Sequence, residues 1–436
     1  MSKANARALN ARSRRNAGTW GLRSGRGTRP AALAAATALI ATTSVLVLPA
    51  TTAWADGGQC TFPSKNYAGR PWALQRVNLD ELWALSTGQN VQVAVIDTGV
   101  DVKNPQLTKA VDASKGANYL PRKNSKGEKT DRGNSQGTTD TVGHGTRVAG
   151  IIAARPLKGT GFVGLAPDAK IIPIKQNNAE GDGTALTLAS SIRHAVDVGA
   201  DVINVSQDTA NAVKPDSRLE GAVDYALDNN VVVVASAGND GLGGNVKVTY
   251  PASYKGVLAV AASDRNNERA SFSQSGEFVG VAAPGVDMIS TVPGGGHCSD
   301  NGTSFSAPYV AGVAALLKSK YPEWTAQQVV AQIEQTAERS IPGHDRLVGW
   351  GVIDPVKALT DVDPANPVET PKPDNAVAKG EAPSVTPLHF GESAEERNMR
   401  LATYVAVGGL VLVAGLSGTA VAVRDSRRRQ RRSSDT

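Results

Sequence analysis

Three short stretches of this sequence carry residue types that together make a serine nucleophilic. They are Val-Ile-Asp97-Thr-Gly, Gly-His144-Gly-Thr-Arg-Val-Ala-Gly and Gly-Thr-Ser304-Phe-Ser-Ala-Pro. A serine hydroxyl is a weak nucleophile near neutral pH. It needs a base to take its proton and an anion to orient and balance that base. Asp97, His144 and Ser304 supply these groups, each in a glycine-flanked setting. Gly302 and Thr303 permit a tight turn into a helix beginning at Ser304, which would bring backbone N–H groups to a developing oxyanion. Pro308 is expected in the first turn of that helix, where a missing N–H does little harm. Gly143 and Gly145 are expected to leave space beside His144 for backbone and substrate. The other histidines read differently: His194 as a helix-surface residue, His297 as a solvated loop residue, His389 as part of a polar stalk. Asp101 reads as a cap or turn residue.

The elements that must hold these residues alternate between strand and helix. Val91–Ile96 is a short run rich in β-branched residues, predicted as a buried parallel strand that ends at Asp97. Further strands are predicted over 170–175, 202–206, 231–236 and 257–262. Helices are predicted over 78–86, 144–154, 184–198, 218–229, 303–319 and 325–338. The polar segment 112–142 reads as an exposed, mobile loop. Right-handed βαβ units with helices on both sheet faces follow from the alternation. Catalytic residues of such sheets gather at strand C-terminal ends, where Asp97 is expected.

The order Asp, His, Ser within these motifs resembles that of the subtilisin-like serine proteases. The resemblance implies an α/β, subtilisin-like three-layer fold with a mainly parallel central sheet, and peptide-bond hydrolysis through an acyl-enzyme. It implies that the side-chain amide of Asn239, in Ala-Ser-Ala-Gly-Asn-Asp, completes the oxyanion hole. It also implies that Ser236, Ala237 and Gly238 form one wall of the pocket before the scissile bond. Peptide substrate in this family adds as a strand in the cleft. The receiving edges would be the Gly181-Asp182-Gly183 loop and the segment that starts at Ser206. That segment reads Ser206-Gln207-Asp208 where the family has Ser-Leu-Gly or similar, so the pocket shape departs from the pattern. Asp182 and Asp208 would favour basic side chains near the cut.

Composition bounds the remainder. The chain has 436 residues and a net charge of +6. Residues 1–55 contribute +8 and residues 424–436 contribute +4, which leaves −6 on the central part. A nucleic-acid partner is therefore not expected. A basic region, an apolar stretch over 31–50 and Ala53-Trp54-Ala55 predict a signal peptide over 1–55. An N-terminal extension over 56–90 then precedes a peptidase domain over 91–360 and a Pro-rich flexible linker over 361–400. Residues 401–423 carry no charge and are long enough to span a bilayer as one helix. The basic tail over 424–436 would stay in the cytoplasm, with the domain outside the cell membrane. Cys60 and Cys298 both fall in the exported part, either as two free thiols or as one bridge. No Cys/His cluster has zinc spacing and no Asp/Asn loop has calcium spacing, so neither a metal nor another cofactor is expected.

This plan resembles the mycosins, membrane-anchored subtilisin-like proteases of type VII secretion. The short extension stands where the wider family carries a sizeable pro-domain, and is expected to wrap the domain and stay attached. The resemblance implies limited proteolysis of secreted protein substrates and a place in or beside a type VII secretion membrane complex. A mainly structural part in that complex, with dispensable proteolysis, is the alternative.

Overall fold

The structure is a computed structural model that describes residues 60–124, 126–206, 216–244, 248–374 and 392–433. The expected signal peptide, and the Gln207 and Asp208 positions, lie outside these residues. Among the described residues, two short helices come first, α1 (Trp72–Gln75) and α2 (Leu79–Leu85). The alternating part runs β1 (Gln92–Asp97), β2 (Ala117–Asn118), α3 (His144–Ala153), β3 (Lys170–Lys175), α4 (Ala185–Asp197), β4 (Val202–Val205), α5 (Ser217–Asp228), β5 (Val232–Ser236) and β6 (Leu258–Ser263). Then come β7 (Val279–Pro284), β8 (Met288–Thr291), β9 (His297–Asp300), α6 (Thr303–Lys320), α7 (Ala326–Gln335), α8 (Pro355–Thr360) and α9 (Ala394–Ser433).

Seven strands form one parallel sheet in the order β2-β3-β1-β4-β5-β6-β7. Its strands are apolar at successive positions because both faces are covered. Val93 and Val95 of β1 face one core with α3 and α6, backed by α2, α7 and α8. Ala94 and Ile96 face a second core with Leu188 and Ile192 of α4 and Leu219 and Val223 of α5. The result is the three-layer α/β fold expected. Side-chain caps fix several helix starts: Thr184 and Gln-paired Thr325 form capping boxes, and Asp216 and Asp354 accept from the first turns of α5 and α8.

Four expectations change. The 112–142 segment is built into the fold: Ala117–Asn118 adds a parallel edge strand to β3, and Thr130 and Asp140 are buried. Pro308 is the sixth residue of α6, beyond the first turn, so the Ser304 carbonyl has no N–H from that position. The segment after α8 is not a free linker throughout. Lys372 N donates to Gln335 Oε1 at 2.7 Å, Gln328 Nε2 to Glu369 Oε1 at 2.7 Å, and Arg339 pairs with Asp374 at 3.3 Å. A strap held by side-chain bonds needs no apolar period, so none was visible. Finally, α9 extends the expected 401–423 span at both ends, and residues 394–429 within it are long and apolar enough to cross a membrane.

The N-terminal extension is tied to β9 and its neighbours. Cys60 and Cys298 form a disulfide, which settles the choice between free thiols and a bridge. Ser64 N donates to Gly295 O at 3.0 Å, His297 N to Lys65 O at 3.1 Å, and Tyr309 Oη to Ala73 O at 3.1 Å.

Candidate active site

Asp97 is the last residue of β1 and is 1% exposed. The chain turns at once, and Asp97 Oδ1 accepts from Thr98 N at 2.7 Å. The same oxygen lies 2.8 Å from His144 Nδ1. A carboxylate there accepts a hydrogen bond from Nδ1–H, which holds the proton of the neutral ring on Nδ1 and leaves Nε2 as the basic nitrogen. His144 opens α3 behind Gly143, whose φ of +82° suits glycine. Burial pushes the His144 pKa down, but the charge and hydrogen bond of Asp97 outweigh it, and the net value is raised. Asp140 adds to that rise and Arg147 opposes it.

Gly145 does a different job from the one expected. A Cβ there would stand 2.2 Å from Gly99 O and 3.0 Å from the Asp97 Cβ. Its absence lets α3 touch the turn after β1, which sets the Asp97–His144 separation. The Cβ position of Gly143 faces the Phe62 ring at 3.1 Å, so the extension packs there.

Two buried charges support the pair, and the sequence reading missed both. Asp140 accepts from Thr98 Oγ1 at 2.9 Å, Gly143 N at 2.8 Å, Thr146 N at 2.9 Å and Thr146 Oγ1 at 2.6 Å. It anchors the first turn of α3. Burial pushes its carboxyl pKa up, against the pull of the Thr146 and Gly143 donors. An acid just before a helix start was the available signal. Lys175 ends β3 in register with Asp97, is 2% exposed, and donates from Nζ to Thr98 O at 2.5 Å. Burial lowers its pKa while Asp140 and Asp97 oppose that fall. Nothing in its sequence setting distinguishes it from a solvated lysine.

Ser304 is the second residue of α6 and is buried. Before it, Thr303 donates from N and Oγ1 to Asn239 Oδ1 at 2.9 and 3.0 Å. Gly238 N donates to Thr303 Oγ1 at 3.2 Å, so the end of β5 is fastened to the start of α6. After it, the Phe305 ring lies 5.3 Å from the His144 ring. No hydrogen bond joins Ser304 Oγ to His144 among the described residues; such contacts tighten when substrate binds. Gly302 leads into the helix. A Cβ on it would stand 3.6 Å from Asn239 Nδ2 and 3.7 Å from Ser304 N. Two N–H donors thus border one space, the arrangement that stabilises an oxyanion.

The expected substrate segments follow β3 and β4, the two strands on either side of β1. Gly181 and Gly183 lie in a turn after β3, closed by Asn178 Nδ2 donating to Asp182 Oδ2 at 2.9 Å. Ser206, after β4, is buried and accepts from Asn204 Nδ2 at 2.7 Å. Ser236 ends β5, and Ala237 N donates to Val260 O at 2.9 Å. Gly238, with φ +108°, backs onto Gln274 and Thr249.

His297 is not a solvated residue. It is buried in β9, where Nδ1 accepts from Tyr67 N at 3.1 Å and Nε2 lies 2.7 Å from Gln106 Oε1. Burial pushes its pKa down to about 4. Short polar strands carry little apolar pattern, so the burial was not legible. His194, partly buried on α4, has Nε2 2.9 Å from Lys115 O. Asp101 is neither a cap nor a turn residue but a long-range tie: Oδ2 accepts from Gly294 N at 2.7 Å.

Known proteins carry the same domain. The Peptidase S8 profile of the subtilase family matches residues 88–351. Mycosin-1 of Mycolicibacterium smegmatis is 34% identical over 360 residues, which cover 71% of this chain and 77% of that protein. M-protease of Shouchella clausii is 39% identical over 284 residues, 65% of this chain and 68% of its own length. The solved structure of the MycP3 protease from the type VII (ESX-3) secretion system superposes with a TM-score of 0.58 at 35% identity, over 68% of this chain and 90% of that one. This chain belongs to the subtilase family and is a subtilisin-like serine endopeptidase related to the mycosins.

Proposed function

We propose that the protein is a membrane-anchored serine endopeptidase with Ser304 as nucleophile, His144 as general base and Asp97 as its orienting anion. The observation that carries this reading is the 2.8 Å contact between His144 Nδ1 and Asp97 Oδ1. With Nδ1 engaged, Nε2 takes the Ser304 proton as Oγ attacks the scissile carbonyl carbon. The oxyanion forms between Asn239 Nδ2 and Ser304 N. His144 then passes its proton to the leaving amine, and water completes hydrolysis of the acyl-enzyme. Peptide lies between the Gly181–Gly183 turn and the segment after Ser206, against the wall of Ser236, Ala237 and Gly238.

The apolar part of α9 is the proposed anchor, with the Arg-rich end cytoplasmic and the domain outside. The relatives in type VII secretion support limited cleavage of secreted proteins beside such a system. The test compares the N-termini of secreted proteins from cells with wild type, Ser304→Ala and a deletion. Trimming lost equally in both mutants supports the reading. Unchanged trimming in Ser304→Ala, with secretion lost only in the deletion, would replace it with a structural part in the secretion complex.

A further inference from the structure

Arg147 sits one turn beyond His144 on α3 and is 9% exposed. Burying a guanidinium costs several kcal/mol unless it is paired and hydrogen-bonded. Each of its contacts goes to the active-site frame. Nε donates to Gly143 O at 3.2 Å, the carbonyl before His144. Nη1 donates to Asp300 Oδ2 in an ion pair. Its guanidinium carbon lies 5.4 Å from the centre of the Phe305 ring, which itself stands 5.3 Å from His144. Asp300 ends β9, four residues before Ser304, and its Oδ1 accepts from Asn301 N at 2.8 Å.

We propose that Arg147 is a positioning residue: its pair with Asp300 clamps the helix of His144 to the segment leading into Ser304 and sets its cation one helical turn from the imidazole. This rests on the reading of Ser304, His144 and Asp97 as the reacting groups.

The charges around the imidazole come from every neighbouring element. Asp97 ends β1, Asp140 precedes α3, Lys175 ends β3 in register with Asp97, Asp101 lies after β1, and Asp300 ends β9. The first two turns of α6, Thr303 to Pro308, add none. Asp97 and Asp140 both favour imidazolium, and Arg147 opposes them. A base must be neutral to accept a proton, so the opposing cation keeps His144 competent at lower pH.

The test uses the full chain in detergent, with histidine rings isotope-labelled at Cε1. There are five histidines, so His144 can be assigned by its loss in His144→Gln. In a Ser304→Ala background, Arg147→Gln is expected to raise the His144 titration midpoint by about half a pH unit or more. Asp300→Asn is expected to lower it, because an anion is lost while the cation stays. In the active protein, Arg147→Lys keeps the charge but not the fork of donors. Its midpoint should stay near wild type while kcat falls about tenfold or more, with little change in KM. Midpoints that do not move in either variant, with thermal melts showing folded protein, would overturn the inference. Fluorophosphonate labelling of the wild type is read separately. Its absence would sink the catalytic reading, whereas labelling with an immobile midpoint would sink the role of Arg147 alone.

Discussion

Thr303 holds the side chain of Asn239 by two hydrogen bonds, from its backbone N–H and its hydroxyl. A backbone N–H can only donate, so it fixes which end of the amide faces it. The oxygen is taken up by Thr303, and Nδ2 is turned toward the space beside Gly302 and Ser304 N. The residue before the candidate nucleophile therefore orients the candidate oxyanion donor.

Asn239→Ala should leave the protein folded and lower kcat by about 10²–10³, the loss seen when a subtilisin loses its oxyanion-hole asparagine. KM should change little, because the donor acts on charge that develops in the transition state. Steady-state rates on one peptide substrate, with a thermal melt as control, check this.

Gly302→Ala should be almost as damaging. Its Cβ would enter the space bordered by Asn239 Nδ2 and Ser304 N, at 3.6 and 3.7 Å, and φ is +154°. A loss in kcat of about 100-fold is expected, comparable to losing one donor. A variant with wild-type kcat would mean that the oxyanion forms elsewhere.

Reduction should loosen the extension first. The Cys60–Cys298 bridge spans 238 residues of sequence, and loss of a native disulfide typically costs about 2–5 kcal/mol. Cys60→Ser with Cys298→Ser should melt at a lower temperature than the oxidised wild type and at the same temperature as reduced wild type. Melts with and without reductant measure it.

His297 makes stability depend on pH. Its folded value near 4 lies below the ordinary 6.5, so the unfolded chain binds a proton that the native chain refuses. The stability from this group is complete above pH 6.5 and is lost as pH falls toward 4. Its full span is about 3 kcal/mol. Protonating Nδ1 would break the bond from Tyr67 N, which joins the extension to β9. His297→Gln should flatten the fall between pH 6.5 and 4 in a denaturant-midpoint series.

Much of this architecture was legible because it rests on periodicity and glycine-framed motifs. Val91–Ile96 read as a buried strand, and Leu186, Ala189, Ile192 and Val196 kept helical spacing, although Leu186 turns out exposed and Leu188 packs into the core in its place. The strands Val279–Pro284, Met288–Thr291 and His297–Asp300 were not seen. The first is rich in Gly and Ala, and the others form a short hairpin around Pro293 and three glycines. Arg147 and Lys175 were illegible for another reason, and Asp140 signalled only that it preceded a helix start. An isolated charge in a sequence usually marks solvent, and only the packed structure reveals that these three meet around Asp97 and His144.

Every step of the proposed hydrolysis depends on activation of Ser304 by His144. The most direct measurement is fluorophosphonate labelling of membranes bearing the full chain, with Ser304→Ala and His144→Ala beside wild type. Labelling of wild type alone, at a rate that falls on acidification as His144 takes up its proton, is the predicted result. A folded wild type that resists the probe, or a His144→Ala variant labelled as fast as wild type, would contradict it.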